Sequence, residues 1–185
     1  EPNHATEWGG AVDPQSFARV NEEFARTLKA SHPDFFIMMG GLDASAPAKP
    51  PQYQDAGVFM REVITDIGIE DVNTLFDGLS SHSYPNPGFV GSVNGQGKGT
   101  VRTYQWELEL LRSMGVKSLP VFITETGWHG DELSREDVAS RFKYAYENIW
   151  LPDTRVVAVT PFILNYQSEP FLQFSWVKEG NNGVY

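Results

Sequence analysis

The sequence predicts an α/β fold built on a parallel sheet. Short continuous apolar runs alternate with stretches of helical periodicity, and the order helix then strand recurs along the whole chain. Such runs are strands covered on both faces, and strands joined through helices pair in parallel. The 185 residues make one domain of ordinary size, 1–185.

Each element has its own signal. Asp13 to Ala30 sets Phe17, Val20, Phe24 and Leu28 at helical spacing, with Asp13 as the cap and Pro14 in the first helical position. His32-Pro33-Asp34 ends that helix, and Phe35 to Gly41 is the first strand. After the proline-rich loop Ala46 to Pro51, a helix runs from Ala56 to Ile67 on Val58, Phe59, Val63, Ile64 and Ile67. Phe76 to Tyr84 is the second strand, closed by Pro85 and Pro87. The glycine-rich loop 88–99 leads to a helix over Thr100 to Met114, with Trp106, Leu110 and Leu111 as its inner stripe. Leu119 to Glu125 is the third strand. Ser134, with Asp137 three residues on, opens a helix to Ile149, and Arg155 to Thr160 is the fourth strand. Trp106 and Trp150 sit on helices and belong to the outer core.

Composition narrows the function. With 41% hydrophobic and 21% charged residues the chain is globular. Its 24 acidic and 14 basic residues give a net charge of -10, a surface that repels phosphate backbones and anionic lipid. No run of 18 apolar residues exists to span a bilayer. Cysteine is absent, which excludes disulfides, thiolate metal sites and cysteine nucleophiles together. No His, Asp and Glu trio has metal-ligand spacing along the chain, so neither a metal nor a cofactor is expected in the chemistry. Oligomeric state stays open.

A parallel sheet of this kind is either doubly wound or a closed barrel, and the polar residues choose. His82 and Tyr84 end one strand, Glu125 ends the next, and Asn165, Tyr166 and Gln167 follow the last. A (β/α)8 barrel builds its site from residues at the carboxyl ends of its strands. An open nucleotide-binding sheet needs a glycine-rich turn between strand and helix, and neither GxGxxG nor GxxxxGK[ST] occurs. Glu125 stands out on chemistry, because an ionised carboxylate at the mouth of a buried strand is costly without partners. Gly127 permits a sharp turn beside it, and Trp128 offers a ring on which the apolar face of a sugar stacks.

The run Ile123-Thr124-Glu125-Thr126-Gly127-Trp128 resembles the nucleophile motif that ends the seventh strand in clan A glycoside hydrolases. Glu1-Pro2-Asn3 is similar to the family's acid/base motif at the end of the fourth strand, and His82-Ser83-Tyr84-Pro85 to its sixth-strand motif. Trp176 resembles the eighth-strand tryptophan that floors the subsite of the cleaved sugar. The matches fall in the family's order and span essentially the whole chain. The resemblance therefore implies about strands 5–8 of a (β/α)8 TIM barrel, the C-terminal half of one catalytic domain. Strands one to four are missing from it, with the asparagine expected before the acid/base glutamate and an early-strand arginine. Units of about 41 residues between Glu1 and Glu125, against roughly 30 in an average barrel, fit the two long loops.

What the resemblance implies is a retaining glycosidase acting on a β-linked oligo- or polysaccharide, with Glu125 as nucleophile and Glu1 as acid/base. Asn3, His4, Trp8, His82, Tyr84, Trp128, His129 and Trp176 are its candidate substrate-binding residues. For His4, Trp8 and His129 a structural role competes on equal terms. Asp43 is a minor cleft candidate and Glu7 reads as solvated. The mechanism asks for a low pKa at Glu125 and a raised one at Glu1, although an α-ammonium beside Glu1 works against the latter. A non-catalytic carbohydrate-binding barrel is the alternative, and a general α/β enzyme with Glu125 as base is a third. Which sugar is cut, and whether internally or terminally, is not written in the chain. An extracellular or periplasmic setting rests on analogy of fold alone.

Overall fold

A computed structural model describes residues 1–178, 180 and 183–185. Helix α1 spans Pro14–Ser31, and its cap forms as expected, with the Asp13 carboxylate accepting from the Ser16 N–H at 2.9 Å. Strand β1 is only Met38–Met39, and α2 covers Ala56–Ile67 under the Asp55 cap. A further helix, α3 (Ile69–Leu75), follows α2 directly, a turn the sequence reading left out. Then come β2 (Gly78–His82), α4 (Thr103–Ser113), β3 (Val121–Thr126), α5 (Arg135–Ala145) and β4 (Val156–Pro161). The tail of α5 continues through a wider turn, Tyr146–Trp150.

The strands form one four-stranded sheet in the order β1-β2-β3-β4, and every pair is parallel. Neighbours in sequence are neighbours in the sheet throughout, so the order never reverses and no switch point of the doubly wound kind arises. Crossovers of one hand then carry the helices to one face. Burial agrees. Leu79, Val121 and Ile123 are fully buried among the helices, whereas Phe36 and Met38 on the opposite face are exposed. Gly78 leaves the space on that face that the Phe36 ring occupies, because an added Cβ would come within 2.8 Å of it. Phe36 in turn meets Phe122 edge-on at 5.4 Å.

The core lies between sheet and helices. Phe59, Ile64, Val72, Leu111 and Trp150 are among its fully buried plugs, each contributing about 1.5–3 kcal/mol by leaving water. The apolar stripe expected of α1 needs correction. Ala18 and Ala25 are the residues buried against α2, with Phe17 and Leu28 half covered, while Val20 and Phe24 point outward at 54% and 59% exposure. Small residues let the two helices approach closely, and the large pair one turn apart forms a separate, uncovered strip. The first strand is likewise shorter than the apolar run, since Phe35 and Phe36 lie beside the ladder without joining it.

This division into a packed and an open face carries a prediction. Leu79→Ala, on the helix side, costs about 2–5 kcal/mol in urea unfolding. Val157→Thr, on the exposed edge strand, stays within about 0.5 kcal/mol of the parent. Equal costs for the two would contradict the assignment of faces.

Candidate active site

Strand pairing builds the site at the carboxyl ends of β2 and β3. Regular alternation would turn Glu125 to the same side as the buried Ile123. The ladder slips instead: Ser81 pairs with Ile123 and His82 with Glu125, leaving Thr124 as an extra residue. The Thr124 hydroxyl is tied to Ser80 at 2.6 Å, and the Ser83 N–H donates to the Glu125 carbonyl at 3.0 Å. The slip brings the Glu125 carboxylate round beside His82 and Tyr84.

Four polar groups meet there. The Tyr84 hydroxyl donates to Glu125 Oε2 at 3.0 Å, and His82 Nδ1 bonds Glu1 Oε1 at 2.9 Å. His82 Nε2 lies 3.8 Å from Glu125 Oε1, so the imidazole stands between the two carboxylates. A carboxylate oxygen of Glu1 and one of Glu125 are within 4.8 Å of each other. Gly41 is required for this arrangement, because a Cβ there would sit 2.3 Å from His82 Nε2. On the far side of Glu1, His4 Nε2 pairs with Asp43 Oδ2 at 2.8 Å, and Asp43 lies beside His82 as an extension of β1.

These groups open on a cavity of about 580 Å³. One wall is polar, from Glu1, His4, Glu7, Asp43 and Ser45. The other is aromatic: Tyr84 meets Phe89 at 5.0 Å, Phe89 meets Phe174 at 5.2 Å, and Phe162 meets Phe171 at 5.2 Å. The volume and the mix of a few polar groups with an apolar wall are those of a small-ligand site.

Charge in the site follows from these contacts. Burial works to raise the Glu1 carboxyl, but the His82 hydrogen bond, the charges of His82 and His4, and the α-ammonium outweigh it and leave it below its ordinary value. The α-ammonium thus acts, as expected, against the raised value that an acid role asks of Glu1. Tyr84 is pushed far up, first by burial and then by the Glu125 charge and bond, so it remains a neutral donor. The metal-ligand spacing missing along the chain arises in space. Ligand atoms of Glu1, His82 and Glu125 lie within 4.8 Å of one another, as do those of Glu1, His4 and Asp43, so either trio could hold an ion.

Of the residues singled out in the sequence, Glu1, His4, His82, Tyr84 and Glu125 line the cavity together. Five others stand outside it. Asn3 is fully buried and staples loops, donating to the Asp43 and Gln54 carbonyls and accepting from the Asp43 N–H. Trp128 is no sugar platform: its ring is buried against Phe142 at 5.0 Å, and its N–H donates to the Gly91 carbonyl, pinning the glycine-rich loop. Trp176 packs on the same Phe142 at 5.3 Å, and Trp8 packs on Phe17 at 5.1 Å. His129 stacks edge-on behind Phe174 at 5.6 Å. Beside Tyr84, the aromatic groups that line the cavity are Phe89, Phe162, Phe171 and Phe174. Phe162 was within reach of the sequence, since it directly follows the last strand; Asp43 and Glu7 also reach the cavity wall.

The Glu1 and His82 pair makes a pH prediction. The folded-state pKa of Glu1 is lowered, so its ionised form adds stability above the ordinary carboxylate value, and that is lost as pH falls through the lowered one. The stability advantage of the parent over His82→Gln therefore shrinks as pH drops from about 5 to about 3, in thermal melts. An advantage that grows over that range would overturn the assignment.

No protein-family model, curated protein or solved structure matches this chain.

Proposed function

We propose that this chain contributes strands five to eight of a (β/α)8 barrel and carries the catalytic pair of a retaining glycoside hydrolase of clan A type. The observation that bears most weight is the carboxylate pair itself, Glu1 and Glu125, oxygens within 4.8 Å across a cavity mouth. Retaining glycosidases hold their two carboxyl groups about 5–5.5 Å apart, while inverting ones leave roughly 6.5–9.5 Å for a water. The sequential parallel sheet supports the barrel reading, as do its uncovered inner face and its two edges, β1 and β4, unpaired among the described residues. Four more strands closing on those edges complete the sheet and cover the face.

In this reading Glu125 attacks the anomeric carbon as the glycosidic bond breaks, while Glu1 gives its proton to the departing oxygen. Glu1 then takes a proton from water, which displaces the sugar from Glu125 with the original configuration restored. Tyr84 holds Glu125 in place for attack by donating to Oε2. The aromatic wall of Phe89, Phe162 and Phe174 suits the apolar face of a sugar ring, and the polar wall of His4, Glu7 and Asp43 suits its hydroxyls. As an ionised group bonded to His82, Glu1 is poorly set to donate a proton. The four-stranded chain alone is accordingly expected to turn over substrate weakly or not at all.

The test is hydrolysis of aryl β-glycosides (gluco, manno and xylo) by the chain joined to strands one to four. Turnover of at least one is expected, with Glu125→Ala losing on the order of 10⁴-fold in kcat. Turnover untouched by Glu125→Ala would sink the nucleophile assignment. Tight oligosaccharide binding with no turnover would favour a non-catalytic carbohydrate-binding barrel.

A further inference from the structure

Behind the cavity, on the helix side of β2, lies a carboxyl group that the chemistry above does not use. Glu107 sits on α4 and is 1% exposed. The Ser81 hydroxyl and the His82 charge both favour its ionised form, and its Oε2 has no hydrogen-bond partner among the described residues. A buried carboxyl with an empty oxygen is costly, so its retention needs a reason.

The reason is visible in what Ser81 touches. Its hydroxyl is 2.9 Å from the Ser83 hydroxyl, and both serines are fully buried. Ser83 Oγ accepts the Tyr104 N–H at 3.2 Å, which leaves its own proton for Ser81. Ser81 then has its proton for Glu107. With the Ser81 proton directed at Glu107, Ser81 accepts from Ser83, so the donors run one way from Tyr104 through Ser83 and Ser81 to Glu107. The backbone of Ser83 is held too: its N–H donates to the Glu125 carbonyl, and its carbonyl accepts the Thr126 hydroxyl at 2.8 Å. His82 and Tyr84, the two residues that contact the carboxylate pair, alternate with these serines along one strand end.

We propose that Glu107 is a positioning residue which, by terminating the Ser83–Ser81 hydroxyl chain, fixes the strand end that presents His82 and Tyr84 to Glu1 and Glu125. It acts through Ser81 and touches neither carboxylate. Burial pushes its carboxyl up to about 7, against the lowering influence of Ser81 and of the His82 charge. The same buried group therefore feels the imidazole across the strand.

The proposal needs no substrate, so it stands or falls apart from the glycosidase reading. The chain has four histidines, and side-chain ¹H–¹⁵N spectra resolve their rings, with His82 identified through His82→Gln. Glu107→Leu keeps the volume and removes the acceptor; Glu107→Gln keeps both shape and acceptor. The expected result is a shift of the His82 ring signals in Glu107→Leu, unchanged His32 signals, and return to the parental His82 position in Glu107→Gln. Ser81→Ala should give the same His82 shift, and adding Glu107→Leu to it should move the signal no further. If Glu107→Leu does not fold, Ser81→Ala alone carries the decision. Parental His82 signals in either folded variant would overturn the proposal, as would a further shift in the double variant.

Discussion

The one-residue slip between β2 and β3 is the constraint on which the rest of the site depends. A strand alternates its side chains, and with Ile123 locked in the core a regular ladder would send Glu125 the wrong way. The extra residue, Thr124, puts Glu125 opposite His82 and within reach of Tyr84. Small hydroxyl residues make the slip affordable in a buried place. Ser80 takes the Thr124 hydroxyl, and Ser83 and Thr126 close the backbone contacts above it. No large side chain could stand in for these without breaking the pairing or leaving a polar group empty.

A second constraint is electrostatic. Two carboxylates this close repel, and His82 between them answers both, bonded to Glu1 and 3.8 Å from Glu125. The imidazole fits only because Gly41 has no side chain. The arrangement favours an ionised Glu1, partly through the α-ammonium of the same residue. An ordinary peptide bond at that position would remove one of the influences that hold the carboxyl down. The lowered carboxyl of Glu1 opposes the acid role proposed for it, whereas Glu125 is held by its contacts with Tyr84 and His82.

Much of this was legible in the chain, and the failures share a cause. The strands and helices came from local periodicity, and Glu125, His82 and Tyr84 from their places at strand ends. Helical spacing could not say which stripe of α1 is covered, because Phe17, Val20 and Phe24 satisfy the same period as Ala18 and Ala25. An aromatic beside a carboxylate reads as a sugar platform, yet Trp128 turns into the core to meet Phe142 and the Gly91 carbonyl. The pairing of His4 with Asp43 joins residues 39 positions apart, which no local pattern displays. The aromatic wall was missed for a related reason: Phe89 and Phe171 lie in turns and Phe174 in a three-residue 3-10 helix, segments too short for periodicity to carry a signal.

The most direct measurement is the configuration of the first product, followed by ¹H NMR of the anomeric proton when the chain, joined to the four strands proposed for it, is given an aryl β-glycoside. A carboxylate pair this close predicts that the β-anomer appears first and the α-anomer only later, through mutarotation. Initial release of the α-anomer would mean single displacement by water. That result would contradict the assignment of Glu125 as the nucleophile.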